Sequence, residues 1–217
     1  MACGNSVFVY TLTDEVCKDR GILKEAGSRI QKGREYMRKT AVILPGIGYN
    51  ADKPLLYYSA KLVKAEGYEI VRIGYHDLPE GIFGDKDRLS NAIDIVYKQA
   101  MEEIASIKAD EFIFLSKSIG TVAAVRVAKH IDAPVKQVYF TPLEETIDEM
   151  EPNIGIAFHG TADPWAKTEV ISAGCKEKRI PLHVTERANH SLETGDIEAD
   201  IQTLKDVMEV VADYLKA

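Results

Sequence analysis

The sequence predicts an α/β protein with an open, doubly wound and mostly parallel β-sheet and helices on both faces. Short apolar segments alternate with amphipathic helical segments through most of the chain, which is typical of this architecture. Several apolar segments, such as 112–115, are hydrophobic at consecutive positions, which suits strands covered on both faces. The chain has 217 residues and no Gly/Ser/Pro-rich linker, so we expect residues 1–217 to form a single domain.

The expected elements follow from these two patterns. Apolar segments predict strands at residues 6–10, 40–44, 69–73, 111–115, 136–140, 155–159 and 182–185. Amphipathic segments predict helices at 54–66, 87–107, 119–130 and 167–178. The last helix is the clearest, because apolar residues recur at spacings of three and four: Ile197, Ile201, Leu204, Met208, Val211 and Leu215. Residues 1–39 are less regular, and the mixed charges in 14–38 indicate a solvated surface.

Composition excludes several classes of protein. The net charge is −7 and no long Lys/Arg run occurs, so we expect no non-specific binding to nucleic acid or to an anionic membrane. No segment approaches the ~18 apolar residues of a membrane span, and no signal peptide is recognisable. Cys3, Cys17 and Cys175 form no CxxC pair, which favours free thiols and no metal site. These features predict a cytoplasmic protein without a cofactor.

The segment 112–124, FIFLSKSIGTVAA, is the most informative for function. A short apolar strand is followed by a serine two residues before a glycine, which fits a nucleophile elbow centred on Ser118. Gly120 would permit the sharp turn, and the backbone N–H of Ile119 would begin a helix and face a developing negative charge. The alternative is an ordinary strand–loop–helix in which Ser118 caps the helix. Ser116 precedes the turn and is the weaker candidate nucleophile.

A nucleophilic serine needs a base, and the base needs a carboxylate that orients it. In a doubly wound sheet these partners are expected on loops at the carboxyl ends of later strands. Asp163 follows the predicted strand 155–159, and His190 follows the predicted strand 182–185. The sequence therefore predicts a catalytic set in the chain order Ser118, Asp163, His190.

From residue 40 to the C-terminus, the chain resembles the α/β-hydrolase superfamily. Residues 116–120, SKSIG, match its Gly-x-Ser-x-Gly elbow with serine at the first position, and residues 159–163, HGTAD, match its His-Gly-x-x-Asp segment. Residues 187–190, RANH, match the Gly-x-x-His loop without the glycine. Residues 44–49, LPGIGY, resemble the oxyanion loop. The resemblance implies that the backbone N–H groups of Ile47 and Ile119 receive the oxyanion.

The same resemblance bears on the substrate. The superfamily's lid is inserted where this chain has residues 142–153, which are only 12 residues long and acidic, so we expect no cap domain and an open pocket for short, soluble esters. Residues expected to line that pocket are Gly46, Gly48, Tyr49, Lys117 and Trp165. For Lys117 a solvated or locally paired lysine is the competing interpretation, and for Trp165 a buried anchor. His76, His159 and His183 are expected to be structural.

Together these features predict a lidless serine hydrolase of the carboxylesterase type acting on a small-molecule ester. A thioesterase, an acyltransferase or a peptidase could use the same three side chains. A binding protein that keeps the fold without turnover is the alternative outside enzymes. Nothing in the sequence indicates the natural substrate or the oligomeric state.

Overall fold

The computed structural model describes residues 37–217, in which six strands form one sheet with parallel pairing throughout. The strands are β1 (Lys39–Leu44), β2 (Glu69–Arg72), β3 (Glu111–Lys117), β4 (Val135–Phe140), β5 (Ile156–Gly160) and β6 (Leu182–Thr185). Their spatial order is β2-β1-β3-β4-β5-β6. The chain runs outward from β1 to β2 and returns to β3, so the order reverses between β1 and β3. Ligands of open α/β sheets bind at such a switch point.

Residues 37–217 also contain six helices, of which five connect successive strands and the last follows β6. They are α1 (Pro54–Ala65), α2 (Lys86–Ile104), α3 (Ile119–Ala128), α4 (Glu144–Glu149), α5 (Thr168–Lys178) and α6 (Ile197–Lys216). Pro54 begins α1, where its missing N–H has no intrahelical role, and the Asp85 and Asp196 side chains cap the first turns of α2 and α6.

Each face of the sheet buries its own hydrophobic residues, and the buried residues form three clusters in all. Ile113 and Leu115 of β3 belong to a cluster with residues of α1 and α6. Their neighbours Phe112 and Phe114 point to the opposite face and pack with residues of α2 and α3. This alternation along a strand buried on both sides explains the consecutive apolar residues. The predicted fold class, a doubly wound sheet with helices on both faces, is confirmed.

Three details differ from the sequence-based expectation, and one expectation is not tested. The strand β3 continues through Lys117, two residues beyond its predicted end. The acidic segment 142–153, for which no regular element was predicted, contains the short helix α4. Ile197 and Ile201, predicted to lie on the buried face of the last helix, are 75% and 64% exposed. The predicted strand 6–10, and with it the inclusion of 1–36 in a single domain, lies outside the described residues.

Among residues 37–217, no helix combines the length and the hydrophobicity that crossing a bilayer requires. Cys175 is a buried free thiol, and the other two cysteines lie outside the described part of the chain.

Candidate active site

Ser118 occupies a strained turn at the carboxyl end of β3. Its φ of 54° and ψ of −125° lie in a region that L-residues rarely adopt. The side chain is nearly buried, with the residue 9% exposed. Backbone bonds hold both sides of the turn, since Ser118 N donates to Phe140 O and Thr121 N donates to Ser118 O. The surrounding structure therefore sustains a conformation that the residue would not adopt alone.

Two glycines let neighbouring segments approach this turn. A Cβ atom on Gly120 would lie 2.2 Å from the backbone oxygen of Leu44, so only glycine lets α3 cross the end of β1 this closely. A Cβ on Gly46 would lie 3.0 Å from Cβ of Ser118. The loop after β1 thus lies directly against the serine, at the point where the strand order reverses.

The structure brings Asp163 and His190 to Ser118. His190 Nε2 is 2.7 Å from Ser118 Oγ, and His190 Nδ1 is 2.7 Å from Asp163 Oδ2. With the ring protonated at Nδ1, it donates to the carboxylate and accepts from the hydroxyl. The Asp163 side chain is fully buried and its Oδ1 accepts from Trp165 N at 2.9 Å. The three residues come from loops after β3, β5 and β6.

Close packing of two loops sets the separation of Asp163 and His190. A Cβ on Gly160 would lie 2.2 Å from the backbone oxygen of Ala188, so the loop after β6 rests on the end of β5. The Asn189 side chain accepts from Ser191 N and from Glu193 N, which fixes the turn around His190. These contacts orient the imidazole without a glycine in the RANH segment.

The environment keeps His190 neutral. Burial lowers the pKa of its imidazole below the usual 6.5, and the nearby charge of Lys117 acts in the same direction. The hydrogen bond to Asp163 opposes both effects, but the net shift is downward. A neutral imidazole can accept a proton at Nε2, so the ring is in the state that a general base requires.

The two residues expected to supply N–H groups lie on either side of Ser118. Ile119 is the first residue of α3, where backbone N–H groups have no intrahelical acceptor. Ile47 lies in a tight turn closed by two backbone bonds between Gly46 and Tyr49, of 3.1 and 3.2 Å. Gly48, in the same turn, has a φ of 73° that favours glycine.

Lys117 is expected from the sequence either to line the pocket or to be a solvated or locally paired lysine. Because β3 extends through this residue, the side chain is buried in the protein, with 1% exposure. Its Nζ donates to Thr141 Oγ1 at 2.9 Å and lies 4.8 Å from the centre of the Tyr49 ring. This burial excludes a solvated lysine, and Lys117 does not line either of two clefts near the site. The alternative of a local partner matches the bond to Thr141.

Two clefts border the loops after β5 and β6, and neither is lined by Ser118 or His190 themselves. One, of about 430 Å³, is lined by Trp165 and the exposed Phe83, whose rings are 4.8 Å apart. Trp165 also lies 5.7 Å from the His190 ring, so it borders the site as well as packing inward. The other cleft, of about 230 Å³, is lined by Tyr49, Ile197 and Ile201. We call these the Trp165 cleft and the Ile201 groove.

The remaining histidines and Ser116 lie apart from the serine. His159 is fully buried, and its Nε2 is 3.1 Å from Thr168 Oγ1, while its Nδ1 is 3.9 Å from Asp163 Oδ2. His76 pairs with its neighbour Asp77 at the surface. His183 stacks on a phenylalanine ring, and Ser116 is buried with its hydroxyl donated to a backbone oxygen.

Sequence reasoning missed Thr141, Phe83 and the Ile201 groove. Thr141 is fully buried beside Lys117 and donates its hydroxyl to His190 O at 3.0 Å. No local pattern singles out this threonine. Phe83 lies between Gly81 and Gly84 in a segment that has no regular structure. Its exposure follows from the fold and not from any local sequence pattern. Within residues 37–217, no three His, Cys, Asp or Glu side chains are grouped to hold a metal ion.

Comparison with known proteins gives the class of fold. No protein-family model matches the sequence, and no curated protein is similar to it. Solved structures do match. An α/β serine hydrolase homologue from Coxiella burnetii is 16% identical, with a TM-score of 0.58 over 85% of this chain and 88% of that one. An esterase from Pyrococcus furiosus is 14% identical, with a TM-score of 0.55 over 83% of each chain.

A third solved structure, an α/β serine hydrolase without a lid from Xanthomonas campestris, is 15% identical. Its TM-score is 0.50 over 80% of this chain and 82% of that one. The protein therefore has the α/β-hydrolase fold, as the sequence motifs had suggested. Between β4 and β5, where the resemblance led us to look for a lid, the only helix is α4.

Proposed function

We propose that this protein is a serine hydrolase that cleaves small carboxylic esters through an acyl-enzyme on Ser118. The fold alone does not fix an activity, so the proposal rests on the site. The observation that carries it is the continuous line of hydrogen bonds from Ser118 Oγ through the His190 ring to Asp163 Oδ2, with 2.7 Å at each step.

The strain at Ser118 supports the same assignment. Helix caps hold ordinary extended backbone, as at Asp85 with a φ of −113°, and their side chains bond to the helix. Ser118 has a φ of 54°, and no side-chain cap bond forms at this helix start. The alternative interpretation of Ser118 as a helix cap therefore lacks its defining contact.

In the proposed reaction, Ser118 Oγ attacks the ester carbonyl carbon while His190 Nε2 takes the hydroxyl proton. Asp163 orients the ring and stabilises the imidazolium. The carbonyl π pair moves to oxygen, where the N–H groups of Ile47 and Ile119 would stabilise the charge. His190 then gives the proton to the leaving alkoxide as the C–O bond breaks. Water, deprotonated by His190, releases the acid and restores the serine.

The proposed substrate is small because the lid segment is short and the Ile201 groove has little volume. The segment that would carry a lid holds only α4, a six-residue helix. The Ile201 groove, of about 230 Å³, is smaller than the ~300 Å³ at the lower end of drug-sized ligand pockets. Short acyl or alkyl groups fit such a groove better than long lipid chains.

A covalent probe tests the nucleophile. A fluorophosphonate should label the wild-type protein once, and peptide mass spectrometry should find the adduct on Ser118. The Ser116→Ala variant is the matched control and should label normally, because that hydroxyl is buried in a bond to Val138 O. A protein that resists labelling would be a binding protein rather than an enzyme.

A substrate panel then tests the class. Turnover of p-nitrophenyl esters should fall as the acyl chain grows from about two carbons to beyond about ten. Rates rising with chain length would contradict the proposed substrate size. Matched thioesters and amides identify a thioesterase or a peptidase if either is preferred to the ester.

A further inference from the structure

Lys117 is a charged side chain in an unusual place. It is 1% exposed, and among residues 37–217 no carboxylate forms a salt bridge with it. Its polar contact is the bond to Thr141 Oγ1, and the Tyr49 ring covers it from the side of the loop after β1. Burying an ammonium group without a paired anion is unfavourable. Buried charged groups with shifted pKa values are often found at functional sites.

Thr141 connects Lys117 to the catalytic loop. Its Oγ1 accepts from Lys117 Nζ at 2.9 Å and donates to the backbone oxygen of His190 at 3.0 Å. Thr141 is fully buried and has a φ of 42°, a strained conformation for a β-branched residue. Pro142 follows it, and residues before proline normally adopt extended backbone. Strain of this kind persists where the surroundings enforce it, often at functional sites.

We propose that Lys117 is a positioning residue that acts through His190, holding its backbone by way of Thr141 and placing a positive charge near its ring. This inference rests on the proposed function of Ser118, His190 and Asp163. Lys117 itself touches no reacting atom. Its side chain extends to Thr141, behind the strand end that carries Ser118.

The positive charge of Lys117 affects the pKa of His190 mainly below neutral pH. Burial lowers the pKa of Lys117 from 10.5 to about 7, and the carboxylates of Asp163 and Glu193 oppose that shift. The ammonium form is therefore present below about pH 7, which is where His190 would take up a proton. Positive charge nearby disfavours that protonation. Lys117 thus keeps His190 neutral, and the site active, to lower pH.

The other titratable groups around these two residues have opposing effects. Asp163 favours the charged forms of both Lys117 and His190, and Glu193 favours that of Lys117. His159 acts on His190 in the same sense as Lys117. Removing the lysine leaves Asp163 as the dominant charge beside the ring, so the His190 pKa should rise.

The Lys117→Met variant separates this role from simple packing. NMR titration of the imidazole signals, with the His190 resonance assigned through a His190→Gln variant, should give a higher His190 pKa in Lys117→Met than in wild type. The control is Lys205→Met, which removes an exposed lysine on α6 and should leave the His190 pKa unchanged. An unchanged His190 pKa in Lys117→Met would overturn the proposal. This titration measures the His190 pKa without any substrate, so it tests the role of Lys117 even if the protein hydrolyses no ester.

Activity gives the second readout. The acid limb of kcat/KM should move to higher pH in Lys117→Met, with several-fold more activity lost at about pH 5.5 than at about pH 8. If that variant does not fold, Lys117→Gln carries both measurements with the same expected direction. A lysine that only fills space would lower activity equally at all pH values, and that result would count against the proposal.

Thr141 tests the hydrogen-bonded connection. Thr141→Ala removes both bonds and should lower kcat more than it raises KM, because His190 is held less well. Thr141→Ser restores the hydroxyl and should recover most of the loss. If Thr141→Ala kept the kcat of the wild-type protein, the proposed positioning of His190 through Thr141 would be wrong.

Lys117→Met should also stabilise the fold in a pH-dependent way. Between about pH 7 and 10.5 the unfolded chain holds the Lys117 proton more tightly than the folded one. The free energy of unfolding of the wild-type protein should therefore rise as the pH increases from about 7 to 10.5. The gain in Tm from Lys117→Met should be largest below about pH 7. A variant with lower Tm at every pH would contradict the premise that burial of this lysine is unfavourable.

Discussion

At the amino edge of the sheet, where the strands begin, two hollows of about 350 and 500 Å³ lie around the starts of β3 and β4. At the carboxyl edge, the Trp165 cleft and the Ile201 groove measure about 430 and 230 Å³. Cavity size does not distinguish the two edges, because a further hollow of about 510 Å³ lies along β6. The proposed catalytic residues Ser118, Asp163 and His190 lie at the carboxyl edge, so size does not identify the proposed site.

Backbone strain distinguishes the two edges. Five residues with positive φ that are not glycine follow strand ends at the carboxyl edge: Asp77, Ser118, Thr141, Arg187 and Leu192. Of these, only Asp77 is a residue type that tolerates the conformation. Those that precede strands at the amino edge have ordinary explanations. Asn153 is a residue type that tolerates this conformation, and Arg179 ends α5 with a left-handed cap. Strain without a local reason marks the edge that carries the proposed function.

Buried charge follows the same division. The side chains of Lys117 and Asp163 are buried at the carboxyl edge. At the amino edge Arg38 and Asp110 form a hydrogen-bonded ion pair that is about half exposed. Exposed pairs of this kind change stability little, whereas buried charges are costly and usually serve a purpose.

The change with the largest expected effect tests whether the carboxyl edge is catalytic at all. Ser118→Ala should lower kcat about 10⁴-fold or more, because the proposed reaction loses its nucleophile. The Tm should stay close to that of wild type. His130→Asn, which changes a residue lining an amino-edge hollow, is the matched control and should retain activity within about twofold. Comparable losses in both variants would abolish the distinction between the edges.

Asp163 and His159 allow a sharper test within the carboxyl edge. Asp163→Asn should lower kcat by roughly 10³–10⁴-fold, since an amide cannot hold the Nδ1-protonated tautomer of His190. His159→Gln removes a buried imidazole 3.9 Å from the same carboxylate and should cost less than about tenfold in kcat. Steady-state kinetics at saturating ester give both values. A larger loss in His159→Gln would reverse the roles assigned to the two residues.

Gly120 tests how closely the helix must approach the sheet. Gly120→Ala places a Cβ against Leu44 O and should lower the free energy of unfolding by roughly 1–3 kcal/mol. Activity should fall as well, because Ile119 and Ser118 move with the start of α3. Gly74→Ala, where no atom lies within 4 Å of the added carbon, should change neither quantity. Urea unfolding and ester turnover measure the two effects, and equal behaviour of both variants would contradict the packing argument.

The sequence predicted the sheet because its strands are short apolar segments that local patterns reveal. It also indicated Ser118, Asp163 and His190, since each follows a strand and sits in a recognisable short motif. The carboxyl end of β3 was less predictable, because Ser116 and Lys117 are polar. Pairing with the neighbouring strands β1 and β4 keeps these two residues in the strand. The burial of Lys117 follows from that pairing, which no local pattern encodes.

Thr141 and the Ile201 groove show a second limit. A threonine between Phe140 and Pro142 has no distinguishing neighbour in the sequence, and its role depends on groups 24 and 49 residues away. Ile201 fits the apolar stripe of α6, which correctly predicts the helix. The spacing of apolar residues does not reveal that the first turns of α6 extend beyond the core. Their apolar side chains, Ile197 and Ile201, line a cleft instead.

The smallest expected effect concerns this groove. Ile201 is 64% exposed, so Ile201→Ser should leave Tm almost unchanged while removing apolar surface beside the site. Turnover of a six-carbon acyl ester should fall roughly 3–10-fold relative to the acetyl ester, about the contribution of one or two methylene contacts. Ile154→Ser, at 40% exposure in the larger amino-edge hollow, should leave that ratio unchanged. A ratio that responds to Ile154 and not to Ile201 would place substrate binding at the wrong edge for the proposed chemistry.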